Sequence, residues 1–324
     1  MKKVLFATTA LIATAGVASA DIAISGYAEM GVYGGDSIVA AGTVTQRETQ
    51  FTQDADIRFN ASGETDTGLS FGVSIDLDET ASSVGNDDAG STVFISGAFG
   101  TLTMGDTDGA LDARTAEVPA GGGGLMDEQE TLVWAANSGL DSEFDGQVVR
   151  LDLPTMNGVN ISISHEQDAA ANGTATVGGE GGIWGVGASF AVGTINVGLG
   201  YQSGEITATT DADATAISLG TTAGAVSYGL MYVSEDRDGW AKSEDMLMGG
   251  VTFTSGAWTM GGSYGTLENS GGNVNRDINS LALTAAYNLG GGATFHLGYA
   301  DNEVDNAGTK TDASSWSAGV AMSF

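Results

Sequence analysis

Short segments in which apolar and polar side chains alternate recur along this chain from Asp21 to its last residue. Successive side chains of a β-strand point to opposite faces, so a repeat of two residues indicates a strand with one apolar and one polar face. The first segment places Ile22, Ile24, Ala28, Met30 and Val32 on one side, and similar segments occupy residues 55–61, 69–77 and 316–324. The alternation therefore predicts an all-β fold.

The connections between these segments alternate between short turns and long polar loops. Short turns lie near residues 63–68, 99–100, 154–158, 191–194, 221–225, 254–257 and 290–293, and long loops lie near residues 34–50, 79–90, 106–146, 167–181, 203–213, 234–244, 265–277 and 301–312. Seven short and eight long connections predict sixteen antiparallel strands with both termini at the short-turn rim. This pattern is typical of a transmembrane β-barrel, which closes on itself because lipid offers the backbone no hydrogen bonds.

The first twenty residues differ from the rest. Met1-Lys2-Lys3 precedes an apolar run that ends at Ala18-Ser19-Ala20. A basic start, a short apolar stretch and small residues before the cleavage point are typical of a secretory signal peptide. We expect residues 1–20 to be removed, residues 21–324 to form one barrel domain, and the mature protein to reside in the cell outer membrane.

Charge and cysteine content exclude several classes of function. Without Lys2 and Lys3, eight basic residues face 41 acidic ones, a net charge of −33. Nucleic-acid binding needs a basic surface, which this chain lacks. Cysteine is absent, so disulfides and thiolate metal sites are excluded. The acidity is compatible either with adaptation of the whole surface to salt or with sites that attract cations.

The third long loop, residues 106–146, interrupts the alternation for about forty residues. A loop this long inside a compact domain is usually functional. It contains a run of four glycines at residues 121–124 and the acidic residues Asp106, Asp108, Asp112, Glu117, Asp127, Glu128 and Glu130.

Three stretches give the chain a family resemblance: Ile24-Ser25-Gly26-Tyr27-Ala28, the hairpin at residues 63–72 and the block at residues 92–100. With them the mature chain resembles the general diffusion porins of Gram-negative outer membranes, especially the acidic alpha-proteobacterial branch. The resemblance implies a sixteen-stranded barrel, usually a homotrimer, whose third extracellular loop folds inward and narrows the pore. It also implies that the terminal Phe324 is read by the barrel-assembly machinery.

In such porins an acidic inward loop faces basic residues on the wall. The candidate wall bases here are Arg47, Arg58 and Arg150, whereas Asp76 and Asp78 place acids on the third strand. We therefore expect a lumen that is negative on balance and prefers cations. An alternative is that Arg58 and Arg150 merely pair with nearby aspartates, Asp56 and Asp152.

The same loop carries a hypothesis of calcium binding. Asp106, Asp108, Asp112 and Glu117 match four positions of a calcium-binding loop, but the glycine at the sixth position is missing. An EF-hand is thus excluded, and the alternative is a looser calcium site that steadies the loop. No other cofactor is expected.

These features favour a passive water-filled channel for small hydrophilic solutes and ions, in contact with outer-membrane lipid and lipopolysaccharide. The alternatives are a substrate-selective porin and a secreted acidic β-rich adhesin or calcium-binding protein. His165 and His296 lack a paired ligand spacing, and no strand-to-helix nucleophile turn is evident, so an enzyme is not expected.

Overall fold

The structure, a computed structural model, describes residues 21–39, 43–80, 90–121, 131–133, 138–141, 147–167, 182–207 and 209–324. Sixteen strands account for most of them. Their bounds are β1 Asp21–Val39, β2 Thr43–Glu64, β3 Ser70–Thr80, β4 Ser91–Gly97, β5 Gly100–Gly105, β6 Val148–Asp152, β7 Val159–Gln167, β8 Gly182–Val192, β9 Ile195–Thr207, β10 Thr210–Ala223, β11 Val226–Arg237, β12 Glu244–Ser255, β13 Trp258–Glu268, β14 Arg276–Gly290, β15 Ala293–Asn306 and β16 Thr309–Ser323.

Each strand pairs antiparallel with the next, and β16 returns to pair with β1, so the sheet is a closed barrel. The closing register runs from Tyr27 opposite Ser323 to Gly35 opposite Ser315. Phe324 extends it, because its N–H donates to the carbonyl of Gly26 over 2.8 Å. The predicted sixteen-stranded antiparallel barrel is confirmed. Among the described residues, no helix is long and apolar enough to cross a membrane.

The two faces of the strands meet different surroundings. Side chains of the apolar rows point outward: Ile24 is 66% exposed, and Leu230 and Leu283 are exposed as well. Side chains of the alternate rows point inward, where Ser218 retains only 2% of its accessible surface. An apolar outer surface is stable only in contact with lipid or another protein. The alternation therefore assigned the two faces correctly.

Several predicted long loops are mostly strand. The expected loop at residues 34–50 belongs largely to β1 and β2, and Arg47, expected just before β2, pairs within it opposite Gly35. The expected loops at residues 203–213 and 301–312 likewise consist mainly of paired strand. Outside the lipid, both faces of a β-hairpin contact water, so polar residues on both faces can continue the pairing of the two strands. Such segments lack the alternation of apolar and polar residues on which the prediction depended. By contrast, β4, β5 and β6 have only seven, six and five residues.

The buried apolar cluster lies inside the barrel, between the third long loop and part of the wall. The loop contributes Leu111, Val118, Val133 and Leu140. The wall contributes inward side chains of β8 to β15: Ile183, Ile206, Ala212, Ala214, Ala216, Met231, Val233, Met246, Met248, Ile278 and Val304. The loop is thus packed on one side of the lumen, and the inward-folded third loop is confirmed.

Candidate pore constriction

The third long loop turns back into the barrel directly after β5. Gly105 has a φ of +127°, a conformation that suits glycine, and a β-carbon there would overlap the carbonyl oxygen of Ser91. The chain then descends to a short 3-10 turn at Asp112–Arg114, which packs against β7, β8 and β9. The first part of the loop therefore follows the inner wall instead of leaving the barrel.

Inward polar side chains hold the loop by its backbone. In five hydrogen bonds a side-chain oxygen of the wall accepts from a loop N–H group. In a sixth hydrogen bond the hydroxyl of Ser263 donates to a loop carbonyl. The pairs are Ser164 with Ala110 (2.8 Å), Gln202 with Leu140 (2.8 Å), Ser218 with Ala116 (2.9 Å), Ser280 with Val133 (2.9 Å), Asn302 with Leu132 (3.0 Å) and Ser263 with Ala120 (2.8 Å). A typical hydrogen bond contributes about 0.5–1.5 kcal/mol, so together they fix the position of the loop firmly.

Glycines on the same wall let the loop backbone come close. A β-carbon at Gly187 would overlap the carbonyl oxygen of Ala110, and one at Gly250 would overlap that of Pro119. Gly198 and Gly200 make the same kind of room for Arg114 and Leu111. The inward face of the wall thus carries polar side chains that bind the loop and glycines that leave room for its backbone.

Asp141 ties the two ends of the described loop together. Its carboxylate accepts a hydrogen bond of 2.8 Å from the N–H of Gly109 and another from the side-chain amide of the fully buried Gln202. Burial, reinforced by the charges of Asp112 and Asp108 and opposed by these two hydrogen bonds, raises the pKa of Asp141 to about 7.

A group of charged side chains joins the loop to β6. Arg114 of the loop contacts Asp152 at 2.6 Å and Ser162 at 2.5 Å. Arg150 of β6 contacts the same Asp152 at 3.3 Å and donates to the carbonyl of Asp108 over 2.7 Å. We call Arg114, Arg150 and Asp152 the β6 charge cluster.

The wall formed by β1, β2 and β3 carries a second charged group. Arg58 lies in register with Asp76 and donates to it from Nε over 2.8 Å, while Asp56 lies 4.0 Å away. Asp54, on the same face of β2, lies opposite Glu29 of β1. We call Glu29, Asp54, Asp56, Arg58 and Asp76 the acidic wall. It holds four carboxyl groups and one guanidinium.

The predicted site residues fall into three groups. Arg58, Asp76 and Arg150 lie on the inward faces of their strands, as the alternation predicted, and Arg150 pairs with Asp152 as the alternative proposed. The chief partner of Arg58, however, is Asp76 across the ladder rather than Asp56 on its own strand. Asp127, Glu128 and Glu130 lie outside the described residues, and the side chains of Arg47 and Asp78 lie outside those described.

The four residues of the calcium hypothesis lie along the descending part of the loop. Asp106 sits against Gly90 at the start of the loop, Asp112 lies in the 3-10 turn, and Asp108 and Glu117 are exposed. Within the described ranges, no three acidic or histidine side chains come together as a metal site. Calcium binding stays a prediction.

Several residues of the site were not predicted from the sequence. Arg114, Asp141 and Gln202 act through contacts with segments far away in the chain, which spacing cannot reveal. Glu29 and Asp54 could have been found, because the same alternation that placed Asp76 inside also places them inside.

Comparisons with known proteins agree with this geometry. The sequence profile of the Gram-negative porins matches residues 7–322. A porin of Rhodobacter capsulatus is 29% identical over 323 residues, covering 90% of this chain and 98% of the relative. Among solved structures, a porin refined at 1.8 Å resolution superposes with a TM-score of 0.66 at 24% identity, covering 94% of this chain and all of the other.

A triple mutant of Rhodopseudomonas blastica porin gives the same TM-score of 0.66 at 17% identity, over 94% of this chain and all of the other. At these identities the two structural matches support the fold alone. The family profile spans nearly the whole chain. The profile, the closed barrel and the inward loop all indicate the same family. The chain belongs to the Gram-negative porins, channel proteins of the outer membrane.

Proposed function

We propose that this porin lets small hydrophilic solutes and ions diffuse passively and prefers cations over anions. One observation carries the preference. Arg58 forms an ion pair with Asp76, and Arg114 and Arg150 share Asp152, so the two charged groups in the lumen together hold five carboxyl groups and three guanidinium groups. The acidic wall still has three more carboxyl groups than guanidinium groups.

The magnitude of the effect follows from electrostatics. Two unit charges about 4 Å apart interact by roughly 1 kcal/mol in water and roughly 4 kcal/mol at an effective dielectric constant of 20. A water-filled passage with low-dielectric walls lies between these limits, and walls of one sign concentrate counter-ions. The proposed preference is therefore marked but not absolute.

The loop and the acidic wall lie on different sides of the lumen. The loop is held by β7, β9, β10, β13, β14 and β15, whereas the acidic wall belongs to β1, β2 and β3. We propose that solutes pass between them, with the acidic side chains of the loop, Asp108 and Glu117 among them, facing the passage. Asp127, Glu128 and Glu130 stay candidates for this border.

We also propose a homotrimer, as in the porins that this chain resembles. The short strands β4, β5 and β6 support a trimer. They have five to seven residues, whereas a strand that spans a bilayer needs about nine to eleven residues. A second copy of the chain would cover the part of the barrel formed by these short strands, and lipid or lipopolysaccharide would contact the longer strands. Phe324 is the proposed signal for the barrel-assembly machinery.

Two measurements test the function. In planar bilayers the purified protein should give stepwise conductance, and in a salt gradient the reversal potential should have the sign of cation preference. Anion preference would contradict the proposed role of the acidic wall. Swelling of protein-containing liposomes in neutral sugars should depend on sugar size alone. Dependence on stereochemistry at equal size would favour a substrate-selective porin instead.

A further inference from the structure

Asp152 is shared by two cationic side chains that come from different parts of the chain. Arg114 arrives from the loop and donates from Nη2 over 2.6 Å, and Arg150 arrives from Asp152's own strand and donates from Nε over 3.3 Å. The hydroxyl of Ser162, on the adjacent strand β7, donates to the same carboxylate over 2.5 Å. A single carboxylate thus joins the loop, β6 and β7.

A further contact of Arg150 also leads to the loop, and the backbone of Arg114 lies against the wall. Arg150 donates from Nη1 to the carbonyl of Asp108 over 2.7 Å, just before the 3-10 turn at Asp112–Arg114. Arg114 ends that turn, and its backbone carbonyl lies against Gly198 of the wall. The β6 charge cluster therefore holds the descending part of the loop at two points.

The cluster is partly shielded from solvent, which strengthens its contacts. The side chains of Arg114, Arg150 and Asp152 are all less than a quarter exposed. Hydrogen bonds between charged groups are roughly twice as strong as neutral ones, and partial burial reduces their screening. The other carboxylate near Arg150, that of Asp108, is 4.0 Å away and largely exposed, so it is a poor substitute for Asp152.

We propose that Asp152 is a positioning residue, which fixes how far the loop stands from the β6 wall and thereby sets the size limit of the pore. The proposal rests on the proposed function, because it requires the loop to border the passage. Without Asp152, Arg114 loses its anionic partner and two guanidinium groups are left close together. With the attachment between Arg114 and Asp152 lost, the loop would move from its place on the wall.

The test measures neutral solutes, whose passage does not depend on the charge of the lumen. The quantity measured is the ratio of the swelling rate of protein-containing liposomes in a trisaccharide to their swelling rate in a monosaccharide. This ratio should differ between the Asp152→Asn variant and wild type. Arg114→Gln removes the same ion pair from the loop side and should change the ratio in the same direction. Asp152→Glu, which keeps the charge, should restore a ratio near that of wild type.

Glu303→Gln is the matched control. It removes a carboxylate whose ion pair with Lys310 is 2.7 Å long and joins β15 to β16 on the strand face opposite to that of Asn302, which binds the loop. This variant should keep the wild-type ratio. Heat-dependent gel mobility identifies folded barrels, and if Asp152→Asn does not fold, Arg114→Gln carries the test.

Wild-type ratios in the folded variants would overturn the proposal while leaving the channel function intact. The double variant, Arg114→Gln with Asp152→Asn, should change the ratio no more than a single variant does, and independent addition of the two effects would also overturn it. A wild-type protein without any channel activity would instead contradict the proposed function itself.

Discussion

Arg58 on β2 lies directly across the ladder from Asp76 on β3, and its Nε donates a hydrogen bond of 2.8 Å to the Asp76 carboxylate. The one described base of the acidic wall is therefore neutralised by its neighbour. The remaining carboxyl groups of this wall determine the sign of its potential, which is why a basic residue in the lumen does not by itself imply a preference for anions.

Replacing Arg58 by Gln should strengthen cation preference, because it removes the positive charge and leaves Asp76. An interaction at the lower limit of about 1 kcal/mol corresponds to a change in the permeability ratio of about fivefold. The reversal potential in a salt gradient measures this ratio. Asp76→Asn should shift it in the opposite direction, and an unchanged potential in both variants would place the acidic wall outside the ion path.

Replacing Gly250 by Ala should displace the loop, because the new methyl group overlaps the carbonyl of Pro119. Overpacking of this kind costs about 1–3 kcal/mol, and we expect altered conductance together with a lower free energy of unfolding. Gly220 is the matched control, since it also lies on an inward face but a methyl group there would meet open space. Gly220→Ala should therefore leave conductance unchanged, and an equal effect of the two substitutions would contradict the close approach of loop and wall.

The half-buried Asp141 predicts that the free energy of unfolding depends on pH. Its pKa in the folded protein, about 7, lies above the ordinary value of 3.8, so the folded state binds more protons between these two values. Stability from this group is fully present below about pH 4 and is lost as pH rises through about 7. The difference of about three pKa units corresponds to roughly 4 kcal/mol as an upper estimate.

The Asp141→Asn variant lacks this titration. Comparing it with wild type therefore separates the effect of Asp141 from the effects of the other carboxyl groups. We expect the free energy of unfolding of the variant, measured by denaturant titration in lipid vesicles, to rise relative to wild type between about pH 4 and pH 8. A difference between variant and wild type that stays constant across this range would show that Asp141 does not titrate there.

Deleting Phe324 should reduce the yield of assembled barrels. The deletion removes the backbone pairing with Gly26 at the seam between β1 and β16, where the N–H of Phe324 donates over 2.8 Å. It also removes the aromatic end that the assembly machinery is proposed to read. Phe324→Tyr, which keeps both features, should assemble normally in cells, as judged by heat-dependent gel mobility of outer-membrane fractions. Normal assembly of the deletion would contradict both roles.

The strands and their inward faces were predictable because their signal is local. Alternation within a single strand suffices to place Arg58 and Arg150 inside the barrel. The ends of β1 and β2 were not predictable in this way, because polar residues outside the lipid show no alternation. The predicted loop at residues 34–50 was wrong for that reason.

The inward fold of the third loop was expected from family resemblance, but its attachment points were not. The contact between Arg114 and Asp152 joins residues 38 positions apart, and that between Leu132 and Asn302 joins residues 170 positions apart. Neither pair has a spacing that a sequence pattern can detect. The inward serines and glycines of β7 to β14 were visible in the sequence, yet only the loop lying on them explains their small size.

The attachment of the loop has a consequence for the order of folding. Its described backbone is held by side chains from β7 to β15, strands that follow it in the chain. Contacts between distant residues form late, since the intervening chain must first be brought together. The loop can therefore reach its final place only after the second half of the protein has entered the sheet, and a barrel interrupted midway through assembly would lack the loop in its lumen.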